Sequence, residues 1–309
     1  MVYTGKDWDG VTDAPLHVVR CRACGFHYLN PRPGPGMIGK FYPDTYNPYQ
    51  SGRGEIERSS KLSTTLRTLI MRRAYGSPAV QPRGLARAFA SVASCVKSAE
   101  RCGFGLAWQG QGRLLDFGCG AGTFLRRMRA MGWDVTGMDF SETAVRAVTD
   151  SGIRAVFGTL PHAELSPASF DVVTMRQALE HVPDPKQTLF EARKLLAPGG
   201  MLVVQVPNFA SWEVEHFGEA SVVLDLPRHF NHFTPDTLAT MLRGCGFTTV
   251  DVRQVARSSW IRKSAKRLDR RPPRKGDGLL RSKVWCNYVA NRALRNGRGN
   301  ELVATARVP

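Results

Sequence analysis

Long apolar runs are the first thing missing from this 309-residue chain. None approaches the roughly 18 residues a bilayer-spanning helix requires, so no membrane span is expected. The first twenty residues, MVYTGKDWDGVTDAPLHVVR, lack the basic-then-apolar pattern of a secretory signal. Cysteine is sparse and odd in number, seven in a chain too large to need disulfide staples, which points to reduced thiols in the cytoplasm. Internal repeats are absent too. Acidic residues are outnumbered 26 to 43 by lysine and arginine, yet the resulting +17 is concentrated in one place. Between Arg253 and Arg298 stand 15 basic residues and two acids, Asp269 and Asp277, leaving +13 there and +4 for everything else. A basic active-site face is therefore not implied.

What is present is a regular alternation. The patterns predict strands over Arg113–Phe117, Trp133–Met138, Ile153–Phe157, Phe170–Met175, Met201–Val206, Phe247–Val252 and Leu302–Arg307. Helical patterns fall between them, with Ser141, Asp184-Pro185 and Thr234-Pro235 as start signals and Gly132, Ala197-Pro198-Gly199-Gly200 and Gly244-Cys245-Gly246 as stops. Strict alternation argues for a parallel α/β sheet wound on both faces.

Where the first strand meets its helix the chain reads LLDFGCGAGTF, losing its side chain at Gly118, Gly120 and Gly122. That point lies at the carboxyl edge, where open α/β sheets bind ligands, and glycine lets a ligand rest on the backbone. A dinucleotide fingerprint would need glycine where Thr123 stands, and no Gly-Lys-Ser/Thr follows to make a phosphate loop. Asp139 ends the second strand, 21 residues beyond Gly118, where a carboxylate can accept both hydroxyls of a ribose. The implied ligand has a ribose and no demanding phosphate.

LLDFGCGAG, VTGMDFSETAV, SFDVVTMRQALEHVPDP and EARKLLAPGGMLVVQVPN together resemble the class I S-adenosylmethionine-dependent methyltransferases. The likeness continues through LPRHFNHFTPDTLATMLRGCGF to NELVATARV, and is strongest to the ubiquinone-biosynthesis-type O-methyltransferases and a bacterial group beside them. It implies a doubly wound, mostly parallel seven-stranded Rossmann-like sheet with S-adenosylmethionine as cofactor. By that likeness Gly118, Cys119 and Gly120 line its methionine portion and Asp116 holds its amino group, directly or through water. Asp139 takes the ribose diol with Phe140 beside the adenine, Thr159 and Leu160 edge the adenine, and Met175 lies near the sulfonium.

A sulfonium carries its own activation, so such an enzyme mainly aligns nucleophile and methyl and excludes water. A protonated acceptor also needs a base, for which His181, with Glu180 to orient it, is one candidate. His229 and His232, in the 208–235 connection, are the others. Structural packing is the alternative role for each of these histidines. In the ubiquinone-type relatives the patch at 177–181 resembles E-x-x-E-H and can hold a divalent metal. Here it reads Gln177-Ala178-Leu179-Glu180-His181, one carboxylate short, and no metal is expected. Cys21-x-x-Cys24 resembles half a zinc ribbon without its upstream pair. With only His17 and His27 nearby, residues 1–50 are expected to form a degenerate ribbon serving as a cover.

The expected layout continues with a helical lid over 51–110, carrying stripes at Leu62, Leu66, Leu69, Ile70 and at Leu85, Phe89, Val92, Val96. A cofactor-binding core over 111–256 and a basic amphipathic insert over 257–298 follow, with the final strand in 299–309. Trp260, Ile261, Ala265 and Leu268 opposite lysines and arginines suggest a helix lying on an anionic inner membrane face, against the alternative of a solvated charge run. Leu280, Val284, Trp285 and Tyr288 suggest a second such helix. The expected activity is methylation of a small molecule in biosynthesis, on oxygen or else on carbon. The alternatives are an RNA methyltransferase and a cofactor-binding protein without catalysis. Against nucleic acid, the fourth strand ends Met175-Arg176-Gln177 and not in the Asn/Asp-Pro-Pro-aromatic clamp for a flipped base.

Overall fold

The computed structural model describes residues 2–8, 10–34, 39–42, 106–268 and 277–309. In chain order the strands are β1 (Tyr3–Gly5), β2 (Leu16–Arg20), β3 (His27–Leu29), β4 (Arg113–Phe117), β5 (Asp134–Asp139), β6 (Arg154–Phe157), β7 (Phe170–Arg176), β8 (Leu196–Pro207), β9 (Asn231–His232), β10 (Thr248–Val255) and β11 (Glu301–Arg307). The helices are α1 (Thr123–Ala130), α2 (Glu142–Thr149), α3 (Pro185–Leu195), α4 (Trp212–Phe217), α5 (Pro235–Gly244), α6 (Ser258–Leu268) and α7 (Lys283–Arg295). Seven strands form one sheet in the order β10-β11-β8-β7-β4-β5-β6, with β4, β5 and β6 mutually parallel and β10 antiparallel to β11. This is the doubly wound, Rossmann-like order the alternation calls for. The expected lid and the bend at Arg271-Pro272-Pro273-Arg274 lie outside the described residues.

The chain divides into two compact units. The unit made of Asp44–Thr174 and Lys194–Met201 contains β4 to β6 and most of β7. Its β4 is buried from Leu114 to Phe117, and α1 turns Phe124, Leu125 and Met128 inward while its arginines stay near solvent. Asp171 on β7 fastens the start of β4: it accepts from the Gln111 and Arg113 amides and from the Arg113 guanidinium at 2.9–3.1 Å. Ser141 caps α2 by accepting from the Ala144 amide, as the sequence suggests. One boundary differs: Ala197-Pro198-Gly199-Gly200 begins β8 instead of preceding it. The backbones of Ala197 and Gly200 approach so closely that a Cβ at 200 would stand 2.7 Å from the Ala197 carbonyl, and glycine lets the strand continue.

The other unit, Met1–Pro43, Met175–Arg193 and Leu202–Pro309, holds a second sheet in the order β1-β2-β3-β9. The stretch expected as an amino-terminal cover contributes to this sheet, where β3 pairs antiparallel with β9 inside the 208–235 connection. Asp184 caps α3 through the Gln187 amide, and Thr234 and Thr237 close a capping box on α5. Two apolar clusters support this unit, one around Leu16, Val18, Leu29, Phe209 and Phe230, the other around Phe217, Ile261, Ala265 and Leu268. The second corrects the sequence reading of α6. Its apolar face is spent on protein, with Ile261, Ala265 and Leu268 buried and Trp260 packed on the first cluster, so that face is not free for lipid. Amphipathy shows that a face is covered without saying by what. Among the described residues no helix is long and apolar enough to cross a membrane.

Candidate cofactor and acceptor sites

Each glycine of the D-x-G-x-G-x-G loop has a left-handed backbone, with φ of +75° at Gly118, +50° at Gly120 and +75° at Gly122. That is why the side chains are lost at alternate positions: the loop reverses its twist three times, which only glycine does without strain. The Gly118 and Cys119 amides donate to the Met138 carbonyl at 2.8 and 3.0 Å, and the Gly120 amide donates to Asp139 Oδ2 at 2.9 Å. Asp139 Oδ1 accepts from the Ser141 amide at 3.0 Å, and the Asp139 carbonyl accepts from Gly158 at 2.9 Å. The loop after β4, the end of β5 and the turn leading to Thr159 and Leu160 are thus fastened to one another.

Asp139 is buried, which raises its proton affinity, while amides of Gly120, Ser141 and Phe140 oppose the rise. Three amide contacts against about four lone-pair positions leave the carboxylate able to accept from a ligand as well. Asp116 is buried and accepts from the Thr174 hydroxyl at 2.6 Å. The Cys119 thiol is pushed up by burial, then by Asp139 and Asp116, and stays neutral. Its sulfur would lie 2.8 Å from a Cβ at Gly137, so β5 needs glycine there for the loop to seat. Phe140 is 46% exposed, Thr159 is exposed, Leu160 is buried, and Met175 is wholly buried in β7.

The histidines sort themselves in the other unit. His181 ends a 3-10 turn at Leu179–His181, and His229 stands in the loop before β9. Their rings meet edge to face, with centroids 4.7 Å apart. One ligand atom each from Glu180, His181 and His229 lies within 4.8 Å of the others. Glu180 does not orient His181 as expected, because its Oε1 is 4.0 Å from Nε2. The ring is held instead through Nδ1, which faces the Arg228 carbonyl at 3.1 Å and the Tyr42 hydroxyl at 2.7 Å. His229 Nδ1 donates to the Val223 carbonyl at 2.9 Å. Tyr42 is a residue the sequence reading overlooked, and only its place in an aromatic-rich stretch signalled it.

Electrostatics matches this burial. His181 is lowered to about 3 by desolvation and then by neighbouring His229, and His229 is lowered by desolvation against the pull of Asp225. Glu180, fully enclosed, is raised well above the usual carboxylate range. Asp225 is lowered, because Arg228 clamps both its oxygens and Arg267 adds a third contact at 3.1 Å. His232 stays outside the group. It is buried near Phe209, with ring centroids 5.4 Å apart, and desolvation lowers it most.

Two further motifs resolve. Gln177 does not replace the missing carboxylate, because its side-chain amide donates to Glu301 at 3.2 Å. Cys21 and Cys24 flank a tight turn in which Gly25 donates to the Cys21 carbonyl at 3.0 Å. Amides of Cys24 and Ala23 hold the Cys21 thiol below its usual range. His17 faces Thr4 and His27 packs on Phe209, and no third ligand joins the pair among the described residues.

Residues 83–252, more than half of the chain, match the family model described as a methyltransferase domain, and the chain belongs to that family, the S-adenosylmethionine-dependent methyltransferases. It is 31% identical over 156 residues to the ubiquinone biosynthesis O-methyltransferase of Paraburkholderia phymatum, spanning 46% of this chain and 67% of that one. The enzyme of the same name from Xanthomonas euvesicatoria is 31% identical over 161 residues, 48% of this chain and 67% of the relative. Among solved structures, an S-adenosylmethionine-dependent methyltransferase from Archaeoglobus fulgidus is similar at a TM-score of 0.45 and 19% identity, over 64% of this chain and 87% of that one.

Proposed function

We propose that the chain transfers the methyl group of S-adenosylmethionine to a hydroxyl oxygen of a small molecule. The observation that carries the acceptor half of this reading is the convergence of Glu180, His181 and His229, three groups able to hold a proton, with both imidazole Nδ1 atoms already committed. In the reaction the acceptor O–H gives its proton to the Glu180 carboxylate, whose burial raises its proton affinity, as the oxygen forms its bond to the methyl carbon. The carbon–sulfur bond breaks, its electron pair stays on sulfur, and the sulfonium charge is discharged. Gly118, Cys119, Gly120, Asp116, Asp139, Phe140, Thr159, Leu160 and Met175 are assigned to the cofactor. The relatives named as O-methyltransferases support oxygen over carbon as the accepting atom.

The test is incubation of purified protein with labelled cofactor and extracted metabolites, beside bulk RNA. A methylated metabolite cleaved as an ether or ester supports the reading. A stable carbon-linked methyl would move the reaction to carbon, and label in RNA alone would move it to nucleic acid. Cofactor binding without any product would favour a non-catalytic role.

A second reading concerns location. We infer contact with an anionic membrane through α7, because Val284, Trp285 and Tyr288 are exposed there and the same helix carries Lys283, Arg292 and Arg295. Beside them a cavity of about 430 Å³ is lined by Trp212, Trp285, Tyr288 and Arg292 among others. Flotation with anionic against neutral vesicles decides it, and equal partitioning would remove this reading.

A further inference from the structure

Trp285 and Tyr288 are the two aromatic residues of α7, and both stand open to water, at 39% and 51% exposure. Large apolar groups left side by side at a surface mark a place where something binds. Their rings are 5.1 Å apart and tilted by 31°, so two π faces share one wall. Together with Trp212 of α4 they line the cavity of about 430 Å³ beside α7, a volume within the range of small-molecule pockets. Trp212 is held in place. His216 stacks on it at 4.5 Å and 15°, and its amide donates to the Arg298 carbonyl at 3.2 Å.

The same wall becomes cationic further along. Trp285, Tyr288, Arg292 and Asn296 recur at helical spacing, and all four line the cavity. At about 1.5 Å of rise per residue, Arg292 lies roughly 6 Å beyond Tyr288 and roughly 10 Å beyond Trp285 along the axis. Arg298 lines the cavity too, but Glu215 balances its charge. Arg292 has no carboxylate partner among the described residues, and α7 carries no acid of its own. Nor does the negative end of the helix oppose an anion there. The carbonyls of Arg292, Ala293 and Leu294 already accept from amides of residues 296–298, at 2.8–3.2 Å.

We propose that this cavity binds a small molecule with a flat aromatic ring at one end and a phosphate at the other, the chemistry of a mononucleotide. The ring lies on Trp285 and Tyr288 with Trp212 beside it, since aromatic faces reward a flat ring more than a saturated chain. The phosphate reaches Arg292, whose planar fork binds such an oxyanion through paired hydrogen bonds, and the Asn296 amide adds a donor. Stacking alone and charge alone are both weak at a site open to water and salt. Together they select a molecule that carries the two groups at this spacing. The site shares no residue with the cofactor loop or with Glu180, His181 and His229, so the proposal goes beyond methyl transfer and stands without it. Membrane contact through α7 draws on the same rings, and the test separates the two.

Calorimetry on the full chain, saturated with S-adenosylhomocysteine to close the cofactor site, measures GMP, guanosine and inorganic phosphate in turn. One equivalent of GMP is expected, with guanosine and phosphate each weaker by about 10-fold or more. Arg292→Gln and Tyr288→Ala should each weaken GMP by about 10-fold, one through the phosphate and the other through the ring. Lys283→Gln removes a charge from the same helix outside the cavity and should leave GMP affinity unchanged. S-adenosylhomocysteine affinity on the same samples reports that each variant is folded. Any of four results overturns the proposal. Protein that binds S-adenosylhomocysteine ignores GMP, whether or not anionic phosphatidylglycerol vesicles bind it; phosphate alone binds as tightly as GMP; folded Arg292→Gln keeps its full affinity; or an RNA hexanucleotide binds more tightly than GMP by about 10-fold or more, which assigns the surface to nucleic acid.

Discussion

Gln177 donates its side-chain amide to Glu301 at 3.2 Å while its own backbone holds a φ of +54°. A left-handed glutamine directly after β7 is uncommon, and its partner on β11 is almost completely buried. Arg257 in turn grips both oxygens of Glu301, at 2.6 and 3.1 Å. The turn that leads to Glu180 and His181 is thereby anchored from β11.

Arg257→Ala removes the cation that grips Glu301 and leaves that buried carboxylate with the Gln177 amide and the nearby charge of Arg176. Breaking one side of such a pair costs about 3 kcal/mol. Glu301→Gln, which loses the charge along with the need for a counter-ion, is expected to cost less. Denaturant unfolding of the two variants measures both, and a loss under about 1 kcal/mol for Arg257→Ala would count against the clamp.

Asp139→Ala removes the carboxylate that joins the glycine loop to the end of β5. Affinity for S-adenosylhomocysteine should fall by about 10-fold or more, as expected when a charged hydrogen-bonding group is lost. Calorimetry reads it directly. Unchanged affinity in folded protein would remove Asp139 from the cofactor site.

How far the sequence led differs from one feature to the next. The seven strands of the large sheet were legible because short apolar runs alternate with helix start and stop signals, as where Gly112 and Gly118 bracket Arg113–Phe117, and period and punctuation are local properties. The alternate glycines of 118–122 were legible for the same reason. The β1-β2-β3-β9 sheet was not, since strands of two to five residues carry too little pattern to stand out. Nor was the meeting of His229 with Glu180 and His181, because nothing local records which loop lies over which turn. Trp260 misled for a related reason: α6 has an apolar face whether protein or lipid covers it.

Glu213 supplies the pH dependence. It is buried between the Ser264 hydroxyl at 2.6 Å and the Asn300 amide at 2.5 Å, with Arg267 the charged neighbour, and burial raises it to about 7. Between its ordinary value of 4.5 and 7 the folded chain holds a proton that the unfolded chain has lost. Its contribution to stability is therefore fully present below 4.5 and is lost as pH rises through about 7. Glu213→Gln should flatten that part of the profile. Melting temperatures recorded across this interval for both proteins check it, and parallel curves would refute it.

Tyr42→Phe deletes the hydroxyl that lies 2.7 Å from His181 Nδ1. Once an acceptor is in hand, turnover should drop about 10-fold, the usual cost of losing a group that orients an imidazole. Cofactor affinity should not change. A shift in cofactor affinity with turnover intact would show that Tyr42 acts elsewhere.

The pairing of His27 with His232 and of Tyr28 with Asn231 also sets a timetable for the chain. The amino-terminal hairpin leaves the ribosome early, and the strand that completes its sheet follows roughly 200 residues later. Until then β3 presents unpaired amides and carbonyls along one edge, a template for any other extended segment. Closing so long a loop is slow compared with forming the hairpin. A fragment begun at Arg113, although it contains every strand of the large sheet, would emerge with β9 unpartnered and the loop of His229 without its neighbour. Truncating this protein at its front would thus disturb a segment near its far end.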